Sequence, residues 1–233
     1  MRKYLLILSL AANFLFAAHF AWKRAANYYA RTRDTSKDSM VTFTYNKYKV
    51  LAQREAYYRF FPIRSTDIVF VGNSLVESFP VTPMFNSLKV QNRGIAGTNT
   101  GELLARIDSI AAPRPEKIFI MDGINDIGQR VSREKTMRNF EEIIRHIQKL
   151  SPRTRIYVHS ILPDNNPGTV AVIKGYNDQL RTICARYQAT YIDIFPLFLD
   201  GTQIKKKLTL DGVHLTLDGY VVWRNAVLKY VNE

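Results

Sequence analysis

A serine near the start of the chain's main domain and an Asp–His pair near its end are the residues that could do covalent chemistry. Gly72-Asn73-Ser74-Leu75 follows an apolar run, and Asp211-Gly-Val-His214 precedes the last amphipathic stretch. A strand that runs through glycine into serine and then a helix makes a tight turn that lifts the hydroxyl out at a sheet's edge. A serine in that setting also serves as a helix N-cap, so the turn alone leaves both roles open. Aspartate and histidine three apart, in a turn before a helix, can hold carboxylate against imidazole. The carboxylate would bond one ring nitrogen and leave the other facing a pocket. His19, His146 and His159 lack such a partner and read as structural.

Two further turns carry groups that could serve such a nucleophile. In Asn92-Arg-Gly94-Ile-Ala-Gly97-Thr-Asn-Thr100, two glycines let backbone amides point into a pocket, and Thr98 to Thr100 can cap a helix. In Asp122-Gly123-Ile124-Asn125-Asp126, an asparagine at a strand end can aim its side-chain amide at a developing oxyanion, or close an Asx-turn. Ser160-Ile-Leu-Pro163 reads as a loop wall.

All of these groups need elements to bring them together. Five apolar runs read as strands: Asp67–Gly72, Lys89–Asn92, Lys117–Asp122, Arg155–Ser160 and Thr190–Phe195. Helix-period segments separate or follow them, at Thr100–Ala112, Ser132–Leu150, Val170–Tyr187 and Thr216–Val231. Strands alternating with helices predict a parallel sheet covered on both faces, an α/β fold. Ligands in such folds bind at the C-terminal ends of the strands, where the turns after Gly72, Asn92, Asp122 and Ser160 fall. Tyr45–Phe61 is a further helix candidate, with Tyr48, Leu51, Ala52, Glu55 and Tyr58 near one face, stopped by Pro62.

The 233-residue length suits one α/β domain, and 46% hydrophobic content excludes a disordered chain. The single cysteine, Cys184, excludes an intramolecular disulfide and Cys-rich zinc modules. The net charge of +13 is concentrated at the N-terminus: residues 1–64 hold 12 Lys/Arg against 3 Asp/Glu, and the remainder 21 against 17. Beside the apolar run Tyr4–Trp22, that excess points to a membrane surface rather than to nucleic acid. Residues 1–22 therefore read as a signal anchor or a signal peptide, 23–64 as a basic connector with a juxtamembrane helix, and 65–233 as the catalytic domain. The expected location is extracytoplasmic, anchored or secreted.

In combination the blocks are more specific than any one alone. Gly72-Asn-Ser-Leu75, Gly94…Gly97, Gly123-Ile-Asn-Asp126 and Asp211-x-x-His214, in that order, resemble the SGNH (GDSL-type) serine esterases over residues 67 to about 228. Ser74, Gly97, Asn125 and His214 match the four signature residues. Asn73 departs from the aspartate of the family name. The surroundings of Asn125 and Asp211 look most similar to carbohydrate O-acetylesterases and platelet-activating-factor acetylhydrolase subunits.

The resemblance implies a three-layer α/β/α sandwich on a five-stranded parallel, flavodoxin-like sheet. It also implies hydrolysis of short acyl, above all acetyl, esters of a small molecule or glycan. Ser74 would attack, His214 would act as base, and Asp211 would support the imidazolium. The amides of Ser74 and Gly97 and the side chain of Asn125 would form the oxyanion hole. No metal or organic cofactor is implied. Apart from the resemblance, Arg93, Arg130 and Arg133 lie near the expected mouth, where they could favour an acidic substrate or simply be solvated. Lysophospholipase or thioesterase activity is the alternative within the family. A non-catalytic glycan- or nucleotide-binding α/β module is the alternative outside it, disfavoured because no G-x-G-x-x-G follows a strand.

Overall fold

The computed structural model describes residues 49–233. The expected N-terminal hydrophobic helix of residues 1–22 lies outside them, as does most of the connector. Among the described residues no helix is long and apolar enough to cross a membrane. Residues 53–233 form one compact unit, so residues 53–64 of the expected connector lie within it. The first helix, α1, is described over residues 49–60 and stops before Pro62.

Five parallel strands form the central sheet: β1 (Ile68–Gly72), β2 (Val90–Gly94), β3 (Lys117–Met121), β4 (Arg155–His159) and β5 (Thr190–Ile192), in the order β2-β1-β3-β4-β5. Every residue of β1 and β3 is buried, as a strand covered on both faces requires. Side chains alternate between the faces, and the alternation sorts them by kind. Val69, Val71, Ile118, Ile120, Ile156 and Val158 form an aliphatic face. Phe70, Phe119 and Tyr157, adjacent by register, form an aromatic one with ring centroids 4.6 and 4.5 Å apart.

The aliphatic face receives α4 (Thr100–Ala111), α6 (Arg133–Leu150) and α7 (Pro167–Arg186) through Leu103, Ile107, Phe140, Ile143, Ile173 and Leu180. The aromatic face receives the short α2 (Ser74–Glu77) and α3 (Val81–Phe85) and the last helix, α9 (Leu217–Asn232). Between α4 and α6 the chain makes α5 (Ile124–Gly128). The result is the expected α/β/α sandwich. Trp223 of α9 is wholly buried against Phe79 at 4.8 Å. At the far end, the Lys117 ammonium donates to the carbonyls of Tyr230 and Val231 at 3.0 and 2.8 Å. A cation thus meets the negative end of the helix dipole there.

The fifth strand is shorter than its apolar run suggests. It ends at Ile192, and α8 (Phe195–Phe198) begins three residues later. The Ser160 hydroxyl accepts from the N–H groups of both Ile194 and Phe195, at 2.9 and 2.8 Å, and so takes over from the strand ladder. A small hairpin, β6 (Leu199–Asp200) with β7 (Gln203–Ile204), has no counterpart in the sequence reading.

Candidate active site

The serine, histidine and aspartate meet at the C-terminal edge of the sheet. Ser74 is the first residue of α2, so its N–H has no partner within the helix and its side chain stands at the helix start. Its Oγ lies 3.0 Å from His214 Nε2, across 140 residues of chain. His214 Nδ1 lies 2.7 Å from Asp211 Oδ2. A ring that donates from Nδ1 to a carboxylate presents Nε2 as an acceptor to the serine hydroxyl.

The local sequence explains the Asp–His geometry. Asp211 Oδ1 accepts from the N–H groups of Val213 and His214 at 3.0 and 2.8 Å, which closes a turn around the carboxylate. The Thr209 hydroxyl donates to the His214 carbonyl at 2.9 Å. The Asp211 carboxyl is held down at about 2, first by its bond to the His214 ring and then by the two amides. Thr216 caps α9, and Tyr220 in the first turn of α9 donates to the Leu75 carbonyl at 3.0 Å. That bond ties the helix that follows His214 to the helix that carries Ser74.

The expected oxyanion groups sit in the two neighbouring turns. Gly97 has a φ of 74°, a conformation that favours glycine, and lies in the loop after β2. Asn125 stands in the first turn of α5 and donates through Nδ2 to the Thr98 carbonyl at 2.8 Å, so the two turns are bonded to each other. Asp126 is fully buried behind them. It accepts from the Thr100 N–H at 3.0 Å, from the Thr100 hydroxyl at 2.5 Å and from the Thr136 hydroxyl at 3.2 Å.

Several supporting residues escaped the sequence reading. Asn92 Nδ2 donates to the carbonyls of Val76, Glu77 and Phe79 and so closes the C-terminal end of α2. Glu77 accepts from the Ala96 N–H, next to Gly97, and from Arg54 of α1, both at 2.5 Å. Buried Arg106 donates to the carbonyls of Gly72 and Arg93. The available signal was a polar residue at an apolar-face position: Leu103, Arg106, Ile107 and Ile110 share one face of α4.

Two expectations need correction. Arg93 is not at the mouth: it is buried, donates to the Phe61 carbonyl, and its guanidinium lies 4.7 Å from the centre of the Tyr58 ring. Arg130 and Arg133 are exposed. His146 does have a carboxylate partner, Asp108 at 2.7 Å, on the protein surface. The two are 38 residues apart, a pairing that spacing along one segment does not reveal. His159 is fully buried, donates from Nδ1 to the Ile120 carbonyl at 3.0 Å, and is pushed down to about 4 by burial. Among the described residues no group of three or more His, Cys, Asp or Glu side chains is placed to hold a metal.

Sheet order, covered faces and a serine raised at a strand–helix turn define a class of α/β acyl hydrolases. The chain belongs to the GDSL-like lipase/acylhydrolase family, whose model matches residues 71–222. It is 28% identical over 177 residues to an N-acylneuraminate cytidylyltransferase of Escherichia coli, covering 71% of this chain but only 40% of that protein. It is 27% identical to the platelet-activating factor acetylhydrolase IB subunit alpha1 of Rattus norvegicus, over 67% of this chain and 71% of that one. A solved structure described as a platelet activating factor from Streptococcus pneumonia superposes with a TM-score of 0.76 at 29% identity, covering 83% of this chain and 99% of that one.

Proposed function

We propose that the protein is a serine esterase that removes short acyl groups, above all acetyl, from a carbohydrate. The observation that carries this reading is the continuous line Ser74 Oγ, His214 ring, Asp211 carboxylate, at 3.0 and 2.7 Å. Serine is a weak nucleophile until a base takes its proton, and Nε2 stands at the distance for that transfer. Ser74 Oγ attacks the ester carbonyl while its proton passes to Nε2. The negative charge on the former carbonyl oxygen is met by the N–H groups of Ser74 and Gly97 and the Asn125 amide. Collapse breaks the bond to the sugar oxygen, which takes the proton from Nε2 and leaves as a hydroxyl. Water then attacks the acyl-serine by the same path and releases the acid. Each preorganised oxyanion donor contributes on the order of 3 kcal/mol in the transition state.

The acetyl preference is supported by the name of the acetylhydrolase relative. The sugar is supported by the name of the cytidylyltransferase relative, which specifies an acylated acidic sugar, although this chain spans only 40% of that protein. Exposed Arg130, two residues beyond α5, suits an acidic substrate. The test is turnover of p-nitrophenyl acetate, butyrate and octanoate without added metal. We expect the acetate to be preferred and Ser74→Ala to remove nearly all turnover while leaving thermal unfolding unchanged. Full activity in Ser74→Ala rejects the mechanism, and an octanoate preference shifts the reading to a lysophospholipase or thioesterase. Comparing acetate release from O-acetylated neuraminate and from acetylated xylooligosaccharide then separates acidic from neutral sugars. The apolar run Tyr4–Trp22, with basic residues on both sides, supports a location on a membrane, and an N-terminal signal of this kind supports export of the domain that follows it. Fractionation of producing cells tests this, and a soluble cytoplasmic full-length chain refutes it.

A further inference from the structure

Behind the nucleophile lies a buried acid that this mechanism does not use. Asp122 follows the last residue of β3, and Asn73 follows the last residue of β1, paired strands whose final register match is Gly72 with Met121. Both side chains are fully buried. Asn73 Nδ2 donates to Asp122 Oδ1 at 3.1 Å, and the same oxygen accepts from the Gly123 N–H at 2.9 Å. At its other end, Asn73 Oδ1 accepts from the Leu75 N–H at 3.0 Å, the amide immediately after the nucleophile. Among the described residues, Asp122 Oδ2 has no hydrogen-bond partner.

The side chain at 73 must therefore accept at one end and donate at the other. An amide does both. A carboxylate, as in the family's name motif, would satisfy Leu75 and turn a second oxygen on Asp122 in a buried site. Burial, and then Asp126 of α5, push the Asp122 carboxyl up to about 8, against the opposing pull of the Gly123 N–H, Arg106 of α4 and Asn73. A second ionisable acid at 73 would meet that environment without a donor between the two. Arg106 holds the same turn from the other side, since its guanidinium donates to the Gly72 carbonyl at 3.1 Å.

Resting on the reading of Ser74 as nucleophile, we infer that Asp122 is a positioning residue: it locks the Asn73 amide, which fixes the Ser74 turn, and its presence is why residue 73 is an amide. The contact is worth most in the transition state, where Ser74 Oγ and the oxyanion N–H must be aimed together. Its loss should therefore lower kcat and leave KM nearly unchanged.

The experiment is a cycle of Asp122→Ala, Asn73→Asp and the exchange Asn73→Asp/Asp122→Asn in the full chain. It is read by kcat and KM for p-nitrophenyl acetate from pH 5 to 9, by Ser74 labelling with a fluorophosphonate, and by thermal unfolding. Asp122→Ala should lower kcat on the order of 10²-fold, the effect of a small misplacement of a reacting group. Asn73→Asp should fall similarly at pH 8, with its ratio to wild type recovering as pH drops and the two acids share a proton. The exchange restores one donor facing one acceptor, so its kcat should return to within a few-fold of wild type at pH 8. If Asn73→Asp does not fold, the folded and active exchange carries the same conclusion. Wild-type behaviour of Asp122→Ala or Asn73→Asp at pH 8, or an exchange that is unfolded or no more active than Asn73→Asp, overturns the inference. A wild type with neither turnover nor labelling overturns the proposed function instead, while the unfolding data still report whether residues 73 and 122 are coupled.

Discussion

Asp211 and Asp126 both flank signature residues, yet the structure gives them different work. Asp211 faces His214 and is more than half exposed; Asp126 faces two threonines and is fully buried. Asp211→Asn should lower kcat by up to ~10⁴, because an amide can stabilise the wrong ring tautomer and cannot support imidazolium. Solvent at Asp211 screens the pair, which places the expected loss below that ceiling. Asp126→Asn keeps an acceptor but turns a donor toward a donor, and should lower stability by about 1–3 kcal/mol with a smaller fall in kcat. Paired assays at saturating ester and urea unfolding distinguish them; a dead Asp126→Asn beside a normal Asp211→Asn would overturn the assignment. Ser74, Asp211 and His214 were readable because each lies in a short motif with its own spacing. Asn92, Arg106 and Asp122 were not, because their partners lie on other strands and helices, 13 to 49 residues away.

The elements that carry these residues were mostly readable, since short continuous apolar runs mark buried strands and longer helix-period stretches mark amphipathic helices. Boundaries moved where a side chain replaced a backbone partner, as Ser160 does at the end of β5. Close approach between elements was invisible. A Cβ on Gly94 would lie 2.2 Å from the Glu77 nitrogen, so β2 touches the end of α2. Gly94→Ala should therefore push α2 aside and destabilise the protein by about 3 kcal/mol or more. Asn92→Ala should weaken the same seam more gently, by about 2 kcal/mol, since it frees carbonyls without a clash. Urea midpoints rank the two, and the opposite order would show that α2 is free to move.

Across the whole molecule, two buried groups give stability opposing dependences on pH. His159 is depressed to about 4 from an unfolded value near 6.5, so the unfolded chain binds its proton first as pH falls. Stability from this group is full above about 6.5 and is lost down to about pH 4, by roughly 3 kcal/mol. Asp122 is raised, so its contribution is present at low pH and is lost as pH climbs toward 8. The difference in unfolding free energy between wild type and His159→Phe, followed from pH 7 to 4, isolates the first; a flat difference refutes it. The Ser74–His214 contact also has a consequence in time. Ser74 and His214, the proposed nucleophile and base, lie 140 residues apart and cannot meet until α9 has docked on the aromatic face. Contacts so distant along a chain form late and slowly. During synthesis, at roughly 5–20 residues per second, the serine emerges many seconds before its base. Ester turnover should accordingly be among the last signals to return on refolding, after helical circular dichroism has recovered, and the nascent chain is born without its activity.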